Sequence, residues 1–77
     1  MQLFSPLDQS DVFRRTAEMC LQNSPYFAIQ KISVRCELGV LILRGQVTSY
    51  HQKQLAQEAV AKIDGVVQVV NEVEVVA

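Results

Sequence analysis

Gly39-Val40-Leu41-Ile42-Leu43-Arg44-Gly45-Gln46-Val47 is an apolar run bracketed by glycines. Apolar residues that follow one another without alternation suit a central strand touched on both faces, or one whose outer face carries an apolar patch. After one helix-length comes Asp64-Gly65-Val66-Val67-Gln68-Val69-Val70-Asn71-Glu72-Val73-Glu74-Val75, where Val67, Val69, Val73 and Val75 share a parity with Asn71 among them. That alternation predicts a third strand over 67–75. In the interval, Ser49 and Gln52 have the spacing of a capping box. Leu55, Ala56, Ala59, Val60 and Ile63 recur as a buried stripe, Gln52, Lys53, Glu58 and Lys62 form a wet face, and Glu58 and Lys62 are spaced as an i,i+4 pair. Gly65 follows as the helix stop. A strand, helix and strand in this order form a crossover, which returns the chain parallel to the strand it left.

Upstream of this unit, Lys31-Ile-Ser-Val-Arg-Cys36 alternates strictly, with Ile32, Val34 and Cys36 on one face and Lys31, Ser33 and Arg35 on the other. It reads as a half-buried strand joined through Glu37-Leu38-Gly39, a short hairpin in which glycine takes the positive φ such turns require. Ser5-Pro6-Leu7-Asp8 and Ser10-Asp11 are two starts for a first helix. Its core stripe is Phe13, Ala17 and Cys20, with Val12, Thr16, Met19 and Leu21 beside them. Asn23-Ser24-Pro25 ends it, because the residue before proline is pushed out of helical geometry. Tyr26–Gln30 reads as a linker whose Tyr26-Phe27 pair folds back over the core edge. The apolar run at Val40–Leu43 favours a mixed sheet with that strand in the centre. The alternative centres the Lys31–Cys36 strand in an antiparallel sheet.

The glycine turn at Gly39, the apolar strand closed by Gly45, the Asp64-Gly65-Val66-x-x-Val69-x-Asn71 run and the helix between them together resemble the BON domain. This is a small bacterial module of osmotic-shock and envelope proteins, and the resemblance covers nearly the whole chain. It implies an α+β fold: a two-layer αββαβ sandwich, a three-stranded mixed sheet with two helices on one face. Residues 1–9 are then a tail or first helical turn, and 10–77 the BON-like domain. The resemblance also implies binding to phospholipid membranes or coupling of larger proteins to the envelope, with Gly39, Gly45, Gly65 and Asn71 as structural turn positions.

Seventy-seven residues make one domain. A chain of this length buries only about 60% of the surface it exposes when unfolded, which sets stability at about 4–10 kcal/mol. A net charge of -1 gives no global attraction to nucleic acid or to an anionic bilayer. The helix and strand order is loosely similar to KH-type RNA domains, but the GXXG clamp and basic charge are missing, so no nucleic-acid partner is expected. Met1-Gln-Leu-Phe-Ser-Pro6 has neither a basic n-region nor an apolar h-region. The expected compartment is therefore cytoplasmic for the chain as given, or periplasmic if it was cut from a longer precursor.

Catalytic patterns are missing: there is no HExxH, GxSxG or Walker-type loop. His51, the single histidine, reads as a solvated helix residue. Glu72 and Glu74 share a parity, but two carboxylates without a further oxygen donor make a poor cation cage. Cys20 and Cys36 are too few and too far apart for a disulfide framework or a metal pair and read as buried, reduced thiols. No enzyme, cofactor or metal is therefore expected. The feature of greatest promise is the sheet face away from the helices. Parity places Lys31, Ser33 and Arg35, then Val40, Ile42 and Arg44, then Gln68, Val70, Glu72 and Glu74 there. Val40, Ile42 and Val70 ringed by Arg35 and Arg44 have the make-up of an interaction surface for a phospholipid headgroup layer or an envelope-associated protein. The alternative is a self-associating structural domain, a homo-oligomer joined through a sheet edge or this face.

Overall fold

The alternating segment folds as strand β1 (Ser33–Glu37) and the glycine-bracketed run as β2 (Val40–Val47), in a computed structural model that describes residues 10–76. The Ser5–Asp8 capping box lies outside the described residues. β3 (Gln68–Val75) completes a sheet of order β1-β2-β3. β1 runs antiparallel to β2 and β3 runs parallel to it, so the sheet is mixed with the apolar strand in its centre.

Three helical segments accompany the sheet: α1 (Ser10–Gln22), α2 (Phe27–Gln30) and α3 (Tyr50–Ala61). α1 packs on β1, α3 packs on β3 and β2, and the two helices touch each other. Between these layers lie Ala17 and Leu21 of α1, Val34, Leu41, Leu43, Val47 and Val73 of the sheet, and Ala56 and Val60 of α3. Ile29 and Ile32 close one end of the core. Each fully buried leucine, isoleucine or valine contributes about 1.5–3 kcal/mol relative to an exposed one, which is what selects this face of each strand.

α3 begins at an N-cap serine, as its spacing requires. Ser49 Oγ accepts the Gln52 N–H at 3.1 Å, and Gln52 Oε1 reaches back to accept the Thr48 N–H at 3.0 Å. Among the described residues Glu58 and Lys62 form no ion pair, contrary to their i,i+4 spacing. Gly65 has φ +93°, and a Cβ there would approach Phe13 Cζ to 2.6 Å. The glycine is thus needed for its backbone conformation and as the floor on which the α1 phenylalanine rests. The hairpin turn places Leu38 at φ 51° and Gly39 at φ 83°, two successive left-handed residues that match the right-handed twist of the strands.

Several side chains depart from the sequence reading. Tyr26-Phe27 does not fold over the core; the segment winds into α2, leaves Phe27 67% exposed, and buries Ile29 instead. A single helical turn points only one of its four side chains inward, and Ile29 holds that position. Val12 and Met19 face outward from α1, because Ala17 and Leu21 set the buried azimuth and a helix turns 100° per residue. Val67 precedes β3 and is exposed, its N–H tied to the Gly39 carbonyl at 2.8 Å. Cys20 and Cys36 are free thiols packed at the margin of the core, half-buried rather than enclosed.

Candidate functional site: the open face of the sheet

Because both long helices cover one side, alternate side chains of all three strands meet no helix. The register arranges them in rows. Glu37, Val40 and Gln68 form one row, Arg35, Ile42 and Val70 the next, Ser33, Arg44 and Glu72 a third, and Gln46 and Glu74 a fourth. Arg35, Val40, Ile42, Arg44 and Val70 are therefore brought together on one face. The three aliphatics are half-buried by their neighbours and form one cluster, Val40 and Ile42 following each other on β2 and Val70 directly beside Ile42 on β3.

The charges around them differ from a basic ring. Arg44 Nε donates to Glu72 Oε1 at 2.7 Å across the β2–β3 ladder, and Arg35 donates to Glu37 Oε2 at 3.0 Å along β1. Gln46 Nε2 donates to Glu74 Oε1 at 3.4 Å, and Ser33 Oγ donates to the Arg44 carbonyl at 3.2 Å. Both guanidinium groups stay more than half exposed, so these pairs add little stability, but they balance the charge of the face. Sequence reasoning missed the pairing. Parity shows that Arg44 and Glu72 share a face; only the register shows that they are opposite one another.

Asn71, on the opposite side of β3, joins strand to helix. Its Nδ2 donates to the Lys53 carbonyl at 2.9 Å and lies 3.4 Å from Gln57 Oε1, while its Oδ1 accepts the Val73 N–H at 3.2 Å. An open groove of about 350 Å³ runs beside this bracket, lined by Tyr50, Lys53, Gln54, Gln57, Glu58, Ala61 and Asn71. Two exposed aromatic rings carry a lysine each: Lys31 Nζ is 4.5 Å from the centroid of Phe27, and Lys53 Nζ is 5.9 Å from that of Tyr50. His51 is exposed. Among the described residues no group of His, Cys, Asp and Glu is placed to hold a metal ion, and no helix is long and apolar enough to cross a membrane.

At Gly45 a Cβ would lie 3.3 Å from the backbone of Ile32, so the missing side chain is the space into which the chain leaving α2 descends. Gly39, Gly45, Gly65 and Asn71 each make a contact that the fold uses. No curated protein matches the chain. The family model of the BON domain matches residues 19–77, from within α1 to the end of β3 and beyond, including every glycine and the Asn71 bracket. With the mixed three-stranded sheet and its helices on one side, this match shows that the chain belongs to the BON domain family, a family of binding modules.

Proposed function

We propose that the chain is a non-catalytic docking module whose open sheet face seats an envelope-associated protein. The observation that carries this reading is the aliphatic cluster Val40, Ile42 and Val70, flanked by the Arg35–Glu37 and Arg44–Glu72 pairs. An apolar centre with a charge-balanced polar rim is the anatomy of a protein interface. An anionic bilayer, by contrast, recruits unpaired basic residues at about 1 kcal/mol each, and here two arginines face three glutamates. A photo-crosslinker at Gln68, directly beside Val40, tests the reading in cells. Adducts should form there, disappear when Val70 is changed to Glu, and be far weaker from a crosslinker at Lys62 on the helical side. Equal adducts from both positions would end the proposal.

Phospholipid docking is the second reading, and a separate observation favours it. Phe27 with Lys31 and Tyr50 with Lys53 are exposed aromatic rings each carrying a lysine, the combination that settles at a membrane interface. α2 packs on β2 and α3, so both pairs belong to the end of the molecule where β2 passes into α3. Co-sedimentation with phosphatidylglycerol–phosphatidylethanolamine vesicles distinguishes the two. Lipid binding through this end is lost on Phe27→Ala and unaffected by Val70→Glu.

A further inference from the structure

We propose that the groove beside α3 and the free edge of β3 form one surface whose occupant is a second copy of this chain, related by a two-fold axis through Asn71. The stripe Tyr50, Lys53, Gln54, Gln57, Glu58 and Ala61 follows three- and four-residue spacing along α3, away from the buried Ala56 and Val60. Laid antiparallel against itself about the midpoint of the helix, this stripe sets Tyr50 against Ala61, Lys53 against Glu58 and Gln54 against Gln57. Every facing pair is complementary: a large ring meets a small methyl, an ammonium meets a carboxylate, and an amide meets an amide. An isologous interface needs this property, whereas a stripe built for an unrelated partner does not. Within one copy Glu58 has no ion-pair partner among the described residues, and the Lys53 ammonium rests only over the Tyr50 ring.

The strand beneath supplies the same symmetry element. The Val76 N–H is bonded to the Val47 carbonyl, so within β3 even-numbered residues face β2 and odd-numbered ones face the free edge, while Val67, ahead of the strand, breaks the alternation by donating to the Gly39 carbonyl. The Val73 N–H accordingly turns outward, to Asn71 Oδ1. Asn71 in turn holds α3 at Lys53 and Gln57, on either side of the helix midpoint. The axis that pairs the helices therefore passes through the residue about which β3 pairs antiparallel with its own copy, Val69 opposite Val73 and Asn71 opposite Asn71. On pairing, the Asn71 oxygen yields the Val73 N–H to the Val69 carbonyl of the second copy. The result is a continuous six-stranded sheet with two antiparallel α3 helices above it and both open faces on the same side.

Sedimentation velocity of the full chain over a wide concentration range, with circular dichroism to confirm folding, tests this. The parent should dimerise reversibly. Lys53→Glu alone and Glu58→Lys alone should each weaken dimerisation about tenfold or more, since each places like charges opposite one another twice per dimer. The double variant should regain the parent dissociation constant within a few-fold, and an equimolar mixture of the two single variants should associate more tightly than either alone. A parent that stays monomeric throughout overturns the proposal, as does a dimer indifferent to the single changes or not restored by the swap. In the monomeric case the groove is left for a foreign strand.

Discussion

Gly45 and Leu38 show how differently single residues can be read. A glycine closing an apolar strand announces that a side chain there would meet something, and the something is the Ile32 backbone 3.3 Å from the missing Cβ. Gly45→Val should lower stability by about 2 kcal/mol or more through overpacking, measured by urea titration. A variant that melts with the parent would mean that the chain after α2 moves aside freely. Leu38 gave no comparable warning. It is 88% exposed and left-handed at φ 51°, a conformation that costs a leucine about 1–2 kcal/mol and an asparagine much less. Leu38→Asn should therefore stabilise the domain by about 0.5–1 kcal/mol, a rise of a few degrees in Tm. Sequence showed the turn through Gly39 but not its type, because the loop length that selects two left-handed residues depends on where the strands stop.

β1 and the long helices were legible because each carries a buried stripe of one period, as Val34 does with Cys36 in β1 and Ala56 with Val60 in α3, and β2 because its unbroken apolar run fills both faces, with Leu41 and Leu43 in the core. α2 was not, since four residues are too few for a period, and Ile29 is buried by what α3 and β2 leave open. Parity likewise put Arg35, Val40, Ile42, Arg44 and Val70 on one face, wrongly added Lys31, which closes α2 ahead of β1, and could not supply the ion pairs. It predicts that Ile42→Lys with Val70→Glu leaves the fold intact, as neither residue belongs to the core cluster. Loss of the cooperative thermal transition would show that this face supports the sheet after all. In the first turn of α1, the Arg14 side chain hydrogen-bonds Asp11 and holds its carboxyl below the usual carboxylate range, with Arg15 adding a smaller attraction. A depressed folded-state pKa contributes stability above the unfolded value of 3.8 and loses it as pH falls through the folded one. Asp11→Asn should consequently be slightly less stable than the parent at neutral pH, and the gap should close once the parent's Asp11 carboxyl is protonated in the folded as well as the unfolded chain. Because this pair is exposed, the gap should also shrink in high salt.

Taken whole, the molecule depends on one non-local pairing, β2 with β3, which carries the parallel half of the sheet and brings Val73 into the core. The crossover separates these strands by the length of α3, so closure of that loop precedes its reward. Folding should be governed by this step. Val73→Ala should slow refolding in stopped-flow measurements if the ladder forms in the transition state, and otherwise speed unfolding alone. The order in which a ribosome delivers these elements adds a vulnerable interval. β2 emerges with one edge unpaired, and at about 5–20 residues per second it waits roughly one to six seconds for β3. During that time its leucines and backbone are open to any neighbouring nascent chain on the same messenger. Dense translation of this sequence should therefore favour strand-swapped assemblies over monomers, and slower initiation should relieve it.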